Sequence, residues 1–87
     1  MQSKRTYMCP VCGFPRLDEP PYDEDGCATF GICPSCGTEF GYDDSNIKHE
    51  ELRRRWIEKG MPWWSQRQGP PEGWDGHRQL REANMAE

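Results

Sequence analysis

MCPVCGFP, residues 8–15, contains Cys9-Pro10-Val11-Cys12-Gly13, and residues 33–37 repeat the pattern as Cys33-Pro34-Ser35-Cys36-Gly37. Twenty residues separate the two pairs. That spacing reads as a single site shared by both pairs, of the kind that holds zinc. Each C-x-x-C pair lets one tight turn present two sulfurs to one ion. Glycine after the second cysteine tolerates the positive φ that such a turn often requires. The turn's amides can then point at the thiolates and offset their charge. Four thiolates complete a tetrahedral shell with no open position, the mark of a structural site. Cys9, Cys12, Cys33 and Cys36 are therefore the candidate ligands. Zinc is the expected ion, and a tetrahedral sulfur shell also suits iron.

Composition explains why such a staple is needed. The chain has 87 residues, which sets the expectation of one domain. Only 33% of the residues are hydrophobic and 30% are charged, with a mean hydropathy of −1.08. So little apolar surface has to offset an ordering cost of roughly 1.5 kcal/mol per residue. Short domains of this kind depend on disulfides, a metal or a partner. The opening MQSKRTYM has a positive start but no apolar stretch behind it. No apolar run approaches the roughly 18 residues of a membrane span. The chain thus reads as cytoplasmic, where reducing conditions favour metal over disulfide for paired cysteines.

The formal net charge is −4, and four thiolates with a divalent ion would take it to about −6. Residues 1–47 carry three Lys or Arg against eight Asp or Glu. An acidic metal-binding half is a poor footprint for phosphate backbones, which call for clustered Lys and Arg.

Working outward from the knuckles, residues 1–8 read as a polar arm or a first strand. DEPPYDEDG, residues 18–26, has the Pro, Asp and Gly of a turn. CATFGI, residues 27–32, alternates, with Ala28, Phe30 and Ile32 on one face and Cys27, Thr29 and Gly31 on the other. TEFGYDD, residues 38–44, reads as one more short strand. The expected fold class is small α+β: a zinc ribbon of short antiparallel strands bearing two CPxCG knuckles, then a helix and a Trp-rich tail with a short terminal helix. Residues 1–80 are expected to form the domain and 81–87 a frayed terminus.

The clearest helix signal is SNIKHEELRRRWIEKG, residues 45–60. Asp44 or Ser45 suits its N-cap, Gly60 its C′ position, and Pro62 stops continuation. His49, Leu52 and Trp56 form a stripe that can pack on the ribbon. MPWWSQRQGPPEGW, residues 61–74, is a broken loop with three tryptophans. Asp75 is placed to cap a terminal helix, GHRQLREA.

A resemblance follows from these residues. The twin C-P-x-C-G knuckles and the opening YMCPVCGF are similar to rubredoxin, which implies iron and electron transfer. That likeness covers the knuckles only, and 51 residues follow Cys36. The wider set ICPSCGTEFGYDD, RRRWIEKG, WW and GWDGHRQL resembles the small bacterial cysteine-rich proteins of the CPCC zinc-ribbon type, over about residues 7–80. This second resemblance implies metal binding through Cys9, Cys12, Cys33 and Cys36 and no established reaction.

The other chemistry-bearing residues have bland readings. Cys27 lacks a knuckle partner and is expected to be a small strand residue. His49 is expected to pack on the ribbon, and His77 sits in the first turn of the last helix. Neither neighbours a nucleophile in a catalytic motif. Arg53, Arg54 and Arg55 point about 100° apart around a helix, and Glu50 and Glu51 lie four residues before Arg54 and Arg55. They read as a solvated, ion-paired face. DEDG, residues 23–26, lacks the alternating ligands of a calcium loop. Trp56, Trp63, Trp64 and Trp74 are expected to build a second small core, with part of that surface as an aromatic interaction patch.

Three functional classes remain. The first is a non-enzymatic adaptor or regulator, binding a protein through the acidic ribbon face or through Trp63, Trp64 and Trp74. The second is a nucleic-acid-binding ribbon using Arg53, Arg54, Arg55, Lys59, Arg67, Arg78 and Arg81. The third is a rubredoxin-like iron carrier. An enzyme is the least supported class, because a saturated shell has no position for substrate.

Overall fold

Eight prolines and nine glycines interrupt the chain often enough that regular structure is confined to short runs. The computed structural model describes residues 6–85. Among them are two helices, α1 (His49–Glu58) and α2 (Gly76–Glu82).

Among the described residues the expected ribbon of short antiparallel strands does not form. Three isolated antiparallel bridges stand in its place, Tyr7 with Leu17, Tyr22 with Ala28, and Ile32 with Glu39. The physical reason is local. Tyr7 exchanges two backbone hydrogen bonds with Leu17, and two residues on the chain turns into the first knuckle. Pro10, Pro15, Pro20, Pro21 and Pro34 have no N–H to extend a ladder. The alternating run 27–32 is broken by Phe30, whose φ is 62°. Phe30 and Ile32 are exposed, not turned inward.

Helix α1 begins at His49, later than the expected 45, and Lys48 caps it without a side-chain hydrogen bond. Asp44 is occupied elsewhere. Its Oδ1 accepts from the Gly41 amide, and its Oδ2 from the Tyr22 hydroxyl and His49 Nε2. The other end behaves as its sequence implies. Gly60 has φ +94°, and the Gly60 and Met61 amides donate to the carbonyls of Ile57 and Trp56. This is a Schellman closure, for which glycine at C′ is the low-strain choice. Asp75 caps α2 as expected, accepting from the His77 and Arg78 amides.

The buried core joins the sulfurs to Val11, Phe14, Leu17, Phe40, Trp56 and Leu80. Trp63 stands edge-on to both Phe14, at 5.6 Å, and Trp74, at 5.3 Å. Such contacts add about 0.5–1.5 kcal/mol each beyond burial. Trp56 is buried and donates its ring N–H to the Pro62 carbonyl. Trp64 alone of the four tryptophans is exposed, at 53%. Within the stretch expected to fray, Arg81 and Glu82 end α2, and Met85 packs against the core and donates its amide to Leu80. Residues 86–87, like 1–5 of the N-terminal arm, lie outside the described residues. No helix among the described residues is long and apolar enough to cross a membrane.

Candidate metal centre

Both knuckles fold by the same backbone rule. In the first, the Gly13 amide donates to the Cys9 carbonyl and the Cys9 amide to Phe14. In the second, the Gly37 amide donates to the Cys33 carbonyl and the Cys33 amide to Thr38. Gly13 and Gly37 have φ of 83° and 81°, which is why each pair is followed by glycine. The Val11 amide lies 3.4 Å from Cys9 Sγ and points a dipole at it.

The turns face each other and bring four sulfurs together. The ligand atoms of Cys9, Cys12, Cys33 and Cys36 all lie within 4.8 Å of one another. Cys9 and Cys36 are 3.8 Å apart, sulfur to sulfur, and Cys12 and Cys33 are 3.7 Å apart. A regular tetrahedron with metal–sulfur bonds of about 2.3 Å has edges of about 3.8 Å. The donor set and its spacing therefore fit a tetrahedral metal ion, and the four thiols are free of disulfides. Four sulfurs this close cannot all ionise without a cation among them. Contact with the other sulfurs, then burial, pushes the thiols of Cys9, Cys12 and Cys33 well up. Contact with the sulfurs of Cys12, Cys33 and Cys9 holds the Cys36 thiol down. An incoming cation reverses that penalty by displacing protons.

Two side chains that read as ordinary in sequence tie the turns to the rest of the chain. Gln79, buried on α2, donates through Nε2 to the Cys12 carbonyl and to Ser35 Oγ, both at 3.1 Å, so it bridges the two knuckles. Its Oε1 accepts the Trp74 ring N–H at 2.8 Å. No local pattern marked Gln79 for this. Arg53 did carry a signal. It lies four residues after His49 and three before Trp56, on the packed side of α1. Its guanidinium donates to the carbonyls of Val11 and Pro10 at 2.8 and 3.0 Å. It is not part of the solvated face expected for all three arginines. Arg54 and Arg55 are ion-paired, to Glu51 and Glu58, whereas the expected partner of Arg54 was Glu50.

The remaining candidates stay apart from the cluster. Cys27 is exposed. His49 is bound to Asp44 at 2.7 Å. His77 is exposed on α2. Asp23 Oδ1 accepts from the amides of Asp25 and Cys27, a self-satisfied polar turn. Trp63 and Trp74 are committed to packing, which leaves Trp64 outermost.

No family model matches the sequence, and no solved structure matches it. The chain is similar to the uncharacterized protein YoaQ of Bacillus subtilis (strain 168), with 32% identity over 74 residues covering 67% of this chain and 63% of YoaQ. It is also similar to the uncharacterized protein YozI of the same organism, with 32% identity over 74 residues covering 66% of this chain and 61% of YozI. The chain thus spans less than two thirds of the length of these curated relatives.

Proposed function

We propose that the chain is a non-enzymatic zinc protein in which one structural four-cysteine centre holds an interaction module together. The mutual placement of the four sulfurs, all within 4.8 Å, carries this reading. Zinc is favoured over iron because the site needs no redox role to explain it. Its binding free energy, of order 10–16 kcal/mol in small zinc peptides, supplies what the buried apolar core of the described residues, Val11, Phe14, Leu17, Phe40, Trp56 and Leu80 beside the ligand sulfurs, cannot. Cys9, Cys12, Cys33 and Cys36 would hold the ion, and a bound zinc would supply a folded scaffold and no open coordination position.

The adaptor role is favoured over nucleic-acid binding by the fate of the arginine run Arg53, Arg54 and Arg55. Arg53 is spent on knuckle carbonyls, and Arg54 and Arg55 on glutamates. Trp64 is the one of the four tryptophans left exposed for a protein partner, beside the exposed Phe30 and Tyr42. Elemental analysis of the purified chain tests the metal reading and should return one zinc per chain. Two ions, none, or a red iron form with reversible one-electron chemistry would replace it. Salt-sensitive binding of DNA or RNA would replace the adaptor role.

A further inference from the structure

The two knuckles share their backbone hydrogen bonds and differ in one side chain. In each turn, the residue two places after the second cysteine accepts the amide of the first cysteine. That residue is Phe14 in one turn and Thr38 in the other. The Phe14 side chain has no polar atom to offer, whereas Thr38 carries a hydroxyl. Thr38 Oγ1 lies 3.3 Å from Cys36 Sγ. Thr38 is only 6% exposed, so solvent has little access to stand in for it. Among the described residues its hydroxyl has no other hydrogen bond. The branched side chain is stiff about χ1, which keeps the hydroxyl at the sulfur.

Ligation fixes the direction of this hydrogen bond. The thiolate, not the thiol, binds a metal. A ligating Cys36 has no proton to give, so its sulfur accepts and the Thr38 hydroxyl donates. Four thiolates around a divalent ion leave a net negative charge of about two in a mostly buried centre. Hydrogen bonds to a charged acceptor are roughly twice as strong as neutral ones. Apart from the cysteines themselves, two donors among the described residues reach the sulfurs. The Val11 amide reaches Cys9 and the Thr38 hydroxyl reaches Cys36. The amide comes with the turn whatever the side chain, but the hydroxyl depends on which residue stands at 38.

We propose that Thr38 is a positioning residue for the metal centre: its hydroxyl donates to the Cys36 thiolate, orients that ligand and draws charge from its sulfur, and so strengthens retention of the ion. The proposal rests on the metal reading above. Two substitutions separate hydrogen bonding from packing. Thr38→Val keeps the shape and loses the donor, and Thr38→Ser keeps the donor and loses the methyl group.

The test uses the full chain and both variants. Metal content is measured first, then zinc retention in competition with a chromogenic chelator, then the absorption spectrum with one equivalent of cobalt(II). Thr38→Val should hold zinc about tenfold more weakly than the parent, and Thr38→Ser should stay within about twofold of it. The sulfur-to-cobalt charge-transfer bands should move to longer wavelength in Thr38→Val, because a sulfur without its donor gives up an electron more readily. Thr38→Ser should keep the parental spectrum. A valine variant that takes up no metal, beside a serine variant that does, is the same result in extreme form. A parent chain that carries no metal overturns the metal reading itself. A loaded parent whose valine variant matches it in either affinity or spectrum overturns this proposal alone. Equal losses in the two variants also overturn it, and assign Thr38 to packing.

Discussion

The first knuckle, Cys9–Gly13, and the second, Cys33–Gly37, share a sequence pattern, a turn and a glycine conformation, yet the molecule treats them differently. The first is sealed. A Cβ on Gly13 would sit 2.6 Å from the Ala83 Cβ and 3.3 Å from the Gln79 carbonyl, so α2 lies directly on the turn. Arg53 covers its carbonyls from the other side. The second knuckle is covered by loop. The amides of Trp64 and Ser65 donate to the carbonyls of Ser35 and Pro34, and the neighbour of Gly37 is the ring of the exposed Trp64. Equivalent ligands thus acquire unequal surroundings because a helix covers one pair and a two-residue loop contact the other. Under the helix both cysteines are fully buried, and under the loop Cys33 is fully buried while Cys36 is only partly so.

The largest effect should come from removing what both knuckles share. Stripping the metal with a chelator at neutral pH should abolish the cooperative thermal transition and collapse amide dispersion in NMR spectra. A chain that keeps a cooperative melt and dispersed amide signals without metal would overturn the claim that the ion staples the fold.

Alanine at the two glycines probes the asymmetry itself. Both substitutions force a side chain into the left-handed region, at about 1–2 kcal/mol. Gly13→Ala must also push α2 away from its seat, for a total of about 3 kcal/mol or more. Gly37→Ala meets a Trp64 ring that can swing into solvent, so its cost should stay near the backbone strain alone. Denaturant midpoints of the two variants decide this, and equal losses would contradict the rigid-versus-loop account.

Gln79→Ala should cost about 1–3 kcal/mol, because Ser35, which is fully buried, and the Cys12 carbonyl lose their shared donor. Gln79→Glu, which keeps the shape but removes the N–H groups, should be no better. A variant as stable as the parent would mean that the ion alone aligns the knuckles.

A smaller effect should appear on acidification, away from both knuckles. The Asp44 side chain is 1% exposed. Burial opposes its ionisation, but hydrogen bonds from Tyr22, His49 and the Gly41 amide outweigh it and hold the carboxyl below the usual carboxylate range. The unfolded chain therefore binds this proton first as pH falls. The stability Asp44 contributes is fully present above about pH 4 and is lost below it as the folded carboxyl protonates. Protonation of the cysteine ligands also weakens the fold in acid, so the measurement is the difference between the parent and Asp44→Asn. That difference should shrink as pH drops through this window. The smallest effect belongs to the exposed Arg54–Glu51 and Arg55–Glu51 pairs. Glu51→Gln should leave the melting temperature unchanged within error, because solvent screens such pairs.

Some of this was legible in the order of residues, and some was not. The ligand set, the glycine after each pair, the Gly60 stop and the Asp75 cap are local facts. A C-x-x-C turn, a C′ glycine and an N-cap aspartate each satisfy their own backbone within a few residues, so their geometry is written in their spacing. Strand propensity misled at residues 27–32, because single-rung pairing between prolines and a positive φ at Phe30 overrode the alternation. Asp44 looked like a cap and became the centre of a Tyr22–His49 network, since a buried carboxylate is better satisfied by three donors than by one helix end. The bridging role of Gln79 and the partial exposure of Cys36 had no local signature. They depend on which segment packs over which knuckle, a contact made across more than forty residues for Gln79 and Ser35. Spacing along the chain determined which sulfurs meet, because turn geometry is short-range. Tertiary packing decided which of them stays in reach of solvent, because burial depends on what the distant half of the chain lays over them.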